Sequence, residues 1–135
     1  MNQEEKILNT YRTVAIVGLS PDAERPSFKV ASYLKEQGYR IIQVNPEFSQ
    51  ILGEACYTDL VSIHEPVDVV DIFRRSEETP AIVEQAIAIG AKVVWMQEGV
   101  VNETAAGRAR EAGLLVVMDK CMRKEHLKLK DREKN

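Results

Sequence analysis

The chain reads as a single α/β domain over residues 1–135, with its core at about 13–127. It is built on an open parallel sheet with helices on both faces. Three observations predict this. Five short valine- and isoleucine-rich runs recur, at residues 14–17, 40–44, 67–73, 91–96 and 114–118. Each is nearly continuous in apolar character rather than alternating, as expected of strands covered on both sides. Helical patterns separate the runs, so the crossovers are right-handed and the strands parallel. The expected strand order is 3-2-1-4-5, with a ligand crevice at the carboxyl ends of the first and fourth strands.

The elements follow in order. After the first strand, Pro26 opens a helix carrying Val30, Ala31 and Leu34 on one stripe, and Gly38 ends it. The connection after the second strand is weaker, holding Gly53 and a short helix around residues 57–63. Thr79-Pro80 reads as an N-cap followed by proline at the first helical position, and that helix stops at Gly90. Asn102 opens another helix, which runs through Ala112 to Gly113. A last helical pattern covers about 120–127, and residues 128–135 read as a charged, frayed tail.

Composition narrows the function classes. Apolar residues make up 44% and the net charge is −3, so the surface as a whole attracts neither nucleic acid nor anionic lipid. No apolar run approaches the ~20 residues needed to span a bilayer. The two cysteines, Cys56 and Cys121, have no paired spacing, and the N-terminus is polar, without a signal-peptide pattern. A cytoplasmic protein is expected.

The most informative stretch is Thr13-Val-Ala-Ile-Val-Gly-Leu-Ser20, followed by a polar loop and a helix opening at Pro26. In a parallel sheet, this is where a phosphate sits on free backbone N–H groups at a helix N-terminus. The dinucleotide fingerprint asks for three glycines and an acid about twenty residues later. Here only Gly18 is present; Ser20 and Ala23 stand at the next two positions, and the second strand ends Gln43-Val44-Asn45-Pro46 without a carboxylate. There is also no P-loop pattern. Positive charge is placed locally instead: Arg25 and Lys29 flank Ser27, and Arg74 and Arg75 follow the third strand. Arginines there suit a ligand bearing several phosphates, although a solvated helix approach would also explain them.

The segments Val17-Gly18-Leu19-Ser20 with Arg25-Pro26-Ser27, Val44-Asn45-Pro46, Asp71-Ile72-Phe73-Arg74-Arg75, Trp95-Met96-Gln97-Glu98-Gly99 and Met118-Asp119-x-Cys121-Met122 appear in this order. Together they resemble the small stand-alone CoA-binding proteins, which are similar to the N-terminal CoA-binding domain of the succinyl-CoA synthetase α subunit. The resemblance implies a Rossmann-like fold and coenzyme A, or an acyl-CoA, as the ligand. It implies that Gly18, Leu19, Ser20, Arg25 and Ser27 hold phosphates, and that Asn45 and Pro46 border the adenine. It further implies that Phe73 and Arg74, followed by Arg75, line the nucleotide's other side, and that Gln97 and Gly99 face the pantetheine arm.

Catalysis finds little support. On a helix, Cys121 and His126 are about 140° apart and share no face. Cys121 reads as a buried thiol. His64 has no partner at metal-ligand spacing, so neither a catalytic set nor a metal site is expected. Glu98 and Asp119, at strand ends, read as loop-fixing or capping groups rather than bases. Trp95 and Met96 read as core. The expected role is a carrier, sensor or regulatory module, with room for a protein partner. The alternative is an NAD(P)-dependent oxidoreductase-type enzyme. The residues specify no acyl group, pathway or oligomeric state.

Overall fold

The computed structural model describes residues 1–134. Helix α1 (Gln3–Thr10) precedes β1 (Thr13–Val17), α2 (Pro26–Glu36), β2 (Arg40–Val44), β3 (Gln50–Ile51) and β4 (Glu54–Tyr57). A 3₁₀ turn at Leu60–Ser62 leads to β5 (Val69–Ile72), and another at Ser76–Glu78 leads directly into α3 (Thr79–Ala88). Then come β6 (Val93–Met96), α4 (Glu103–Glu111), β7 (Leu115–Val117) and α5 (Met122–Glu133).

The sheet has seven strands in the order β3-β4-β2-β1-β5-β6-β7. All pairs are parallel except the β3–β4 hairpin. The doubly wound class is as expected, but the five-strand count and the order 3-2-1-4-5 need correction. The run at 67–73, taken as the third strand, pairs with β1 and not outside β2. The outer place beside β2 is taken by β4, in the segment read as a loop and short helix. The chain therefore turns back between β1 and β5, and the crevice opens over the ends of those strands and reaches the end of β6. Helices α1, α2 and α5 cover one face through Ile7, Leu8, Val30, Leu34, Met122 and Leu129. Helices α3 and α4 cover the other through Val83, Ala86, Ala105, Ala106 and Ala109.

Both chain ends are helical. Asn2 and Glu5 form a capping box for α1, with each side chain accepting from the other's backbone N–H. Helix α5 continues to Glu133, and Leu129 is buried, so residues 128–133 are not a frayed tail; Asn135 lies outside the described residues. Arg132 ties the two ends together through Glu5 at 2.6 Å. Asn102 caps α4 through Ala105 N–H, as expected, whereas Thr79 is the first residue of α3 rather than its cap. Trp95 and Met96 are fully buried, and the Trp95 indole N–H donates to the Lys120 carbonyl at 2.8 Å.

Candidate functional site

The site begins where β1 runs out. The Gly18 N–H is still bound to the Val44 carbonyl at 2.8 Å, but its φ of +91° turns the chain off the sheet. A Cβ here would lie 2.6 Å from the Phe73 carbonyl oxygen and 2.9 Å from Arg74 Cδ, so the close approach of β5's end requires glycine. The loop that follows is held by its own polar groups. Ser27 Oγ accepts from Ser20 N–H at 3.0 Å, and Ser20 Oγ accepts from Asp22 N–H at 3.0 Å. Helix α2 then starts on Pro26 with no side-chain cap and no acid in its first turn. Its N-terminus is therefore left free for an anion. Arg25, at the cap position, is exposed and forms no ion pair among the described residues.

These groups form one wall of a cleft of about 780 Å³ over the carboxyl ends of the strands. Phe73, Arg74 and Arg75 contribute from the end of β5, and Gln97, Glu98 and Gly99 from the end of β6. The arginines are not free charges. Arg74 donates to Glu78 Oε1 through Nη2 at 2.8 Å and Nε at 3.3 Å. Arg75 meets Glu78 Oε2 through its backbone N–H and its Nε, both at 3.3 Å. The Arg74 hydrogen bond, with help from Arg75, holds the Glu78 carboxyl below its usual range. Two aromatic rings, Phe48 and Phe73, also border the cleft.

At the far end the chain is fixed by capping. Gln97 is buried, and its Oε1 accepts from Met122 N–H at 3.1 Å, at the first residue of α5. Asp119 accepts from Gly99 N–H at 2.7 Å, and Glu98 pairs with Lys124 at 2.9 Å, so both acids fix loops. Cys121 is buried at the α5 cap position and lines the same cleft. His126 belongs to another cluster, 2.6 Å from the Tyr33 hydroxyl, and burial lowers its pKa. No group of three metal-ligating side chains occurs among the described residues.

The structure brings Gly18, Ser20, Arg25, Ser27, Asn45, Phe73, Arg74, Arg75, Gln97 and Gly99 into this one cleft. Leu19 and Pro46 stand apart from it. The Leu19 side chain is in the core, so only its backbone faces the loops, and its carbonyl accepts from Asn45 Nδ2 at 3.0 Å. Asn45 Oδ1 accepts from Glu47 N–H at 2.9 Å, so this side chain ties two site loops together. Pro46 lines a neighbouring apolar recess of about 260 Å³ with Leu60, Ile82 and Gln85. Arg74 lines both cavities. Phe48, Glu78 and the α3 side of this recess were not read from the sequence. Phe48 carries no spacing signal, and the recess depends on where β4 pairs.

A doubly wound sheet with an uncapped helix N-terminus over its switch point defines a nucleotide-binding class of domain. Comparison with known proteins narrows this. The model of a family described as a CoA binding domain matches residues 12–127, and the chain belongs to that family. An uncharacterised protein of Bacillus subtilis, YneT, is 38% identical over 122 residues, 90% of each chain. A hypothetical protein of Pyrococcus horikoshii superposes with a TM-score of 0.91 at 42% identity, covering 95% of this chain and 92% of that one. An ADP-forming acetate–CoA ligase (II) of Archaeoglobus fulgidus is 28% identical over 112 residues; the match covers 81% of this chain but 17% of the ligase. No helix among the described residues is long and apolar enough to cross a membrane.

Proposed function

We propose that the protein binds coenzyme A or an acyl-CoA across the carboxyl ends of its strands, as a carrier, sensor or regulatory module rather than as a catalyst. The observation that carries this reading is the convergence of an uncapped α2 N-terminus, unpaired Arg25 and the Arg74 guanidinium on one cleft in an otherwise acidic chain. The diphosphate would rest beside Gly18, Ser20 and Ser27, where the uncapped N-terminus of α2 and Arg25 supply the positive field. The adenine would enter the apolar recess beside Pro46, with Arg74 at the junction. The pantetheine arm would run toward Gln97, Gly99 and Cys121. Family membership and the ligase relative, whose name includes CoA, support this ligand.

The oxidoreductase reading is less well supported. Asn45 stands where a dinucleotide domain carries its ribose-binding acid, and both ends of its side chain are engaged. Calorimetric titration with CoA, 3′-dephospho-CoA and NADPH at two salt concentrations tests the choice. CoA should bind more tightly than the other two and weaken with salt. Tighter NADPH binding, or none of CoA, would overturn the proposal.

A further inference from the structure

We propose that Glu78 is the positioning residue of the nucleotide site, holding Arg74 and Arg75 in a phosphate-ready geometry. This rests on the CoA reading above and adds to it the residue that sets how well the phosphates are read. The Arg74 stem lies against the Gly18 turn, where a Cβ on Gly18 would approach its Cδ at 2.9 Å. Its guanidinium borders both the main cleft and the apolar recess, which is where a ligand spanning the two would carry phosphate past it.

A guanidinium has five N–H donors in a planar fork. Glu78 Oε1 engages only the Nε and Nη2 side, leaving the Nη1–Nη2 edge for a second, bidentate anion. The other carboxylate oxygen accepts from Arg75 N–H and Nε, fixing the backbone at the start of the 3₁₀ turn. Glu78 therefore orders the Arg74 side chain before any ligand arrives and shares the exposed Arg75 side chain with Glu77, 3.6 Å away, and ordering Arg74 in advance lowers the entropy lost on binding. The Arg74 and Glu78 side chains are 32% and 29% exposed, so replacing Glu78 opens no core cavity.

A double-mutant cycle on the full chain tests this, using CoA as the probe in calorimetry. Glu78→Ala should weaken CoA binding roughly three- to tenfold, and Glu78→Gln, which keeps one acceptor, should recover part of that loss. In the Arg74→Ala background, Glu78→Ala should cause little further loss, because its effect runs through Arg74. A melting curve for each variant shows that the fold is retained. Equal or tighter CoA binding by Glu78→Ala, or losses that simply add in the double variant, would overturn the inference while leaving the CoA reading intact. Failure of the wild-type protein to bind CoA would overturn both.

Discussion

Replacing Gly18 by alanine probes the joint on which the site is built. Two effects add. At φ +91° an L-residue is strained, and strain of that kind costs about 1–3 kcal/mol. The new Cβ would also sit 2.6 Å from the Phe73 carbonyl oxygen, a backbone atom just past β5 in a residue whose N–H is bonded to the Val17 carbonyl, so it can retreat only by disturbing the strand ends. Overpacking of this kind costs roughly 1–3 kcal/mol. The sum is about 2–6 kcal/mol, and at roughly 3–4 °C per kcal/mol for a chain of this size, Tm should fall by about 6–24 °C. Gly53→Ala is the control. Its φ is also positive, at +77°, but nothing lies within 4 Å of the added Cβ, so only strain of about 1–2 kcal/mol applies. Parallel melts followed by circular dichroism would measure the difference. If Gly18→Ala melts no lower than Gly53→Ala, the contact between the β1 turn and β5 does not constrain the site as described.

Three other outcomes are expected. Arg25→Ala should weaken CoA binding by ~1.5–3 kcal/mol, one charge-assisted contact, with little change in Tm; calorimetry beside a melt checks both. Asp71 is fully buried with neither carboxylate oxygen hydrogen-bonded, and desolvation raises its pKa well above the usual range. The folded protein therefore holds this proton more tightly than the unfolded chain. Its stabilising effect is full below about pH 3.9, the unfolded value, and is lost as pH rises toward the folded value. Asp71→Asn should accordingly raise Tm at pH 7 and change it little at pH 4. His126 behaves oppositely: burial lowers its pKa, so its effect is stabilising above about pH 6.5 and is lost as pH falls. His126→Gln should flatten the Tm profile between roughly pH 5 and 7, and an unchanged acid slope would refute that cause.

Five of the strands were readable because buried parallel strands leave a mark that survives without context: β1, β2, β5, β6 and β7 lie in continuous apolar runs. Strand β4 left none. Its sequence, Glu-Ala-Cys-Tyr, begins with two exposed residues, and it pairs with β2 at only two positions. It is set by the sheet edge rather than by its own pattern, and missing it misplaced the third strand. The α5 helix was cut short for a different reason. Its buried face is Met122, Glu125, His126 and Leu129, a regular helical stripe in which two positions are polar. An apolar count stops there, although Lys128 pairs with Glu125 and Tyr33 meets His126, so the stripe can be buried. Helix α1 was not read, although Asn2 with Glu5, ahead of Ile7 and Leu8, is a capping-box signature.

The site residues that were read, Gly18, Asn45, Phe73 and Gln97 among them, were legible because they lie at or just past strand ends, where a parallel sheet collects its loops. Their hydrogen bonds were not. Sequence spacing could not show that Asn45 is spent on bracing Leu19 and Glu47, that Gln97 caps α5, or that one carboxylate, Glu78, holds both arginines. Such bonds depend on which loops meet in space.

A crystal structure of the protein grown with CoA is the most direct test of the binding site. The diphosphate should lie at the α2 N-terminus within hydrogen-bond reach of Ser20, Ser27 and Arg25, with the adenine beside Pro46 and the thiol toward Gly99 and Cys121. Density for CoA in any other cavity, or in this cleft with the adenine at the Gly99 end, would contradict the proposed site.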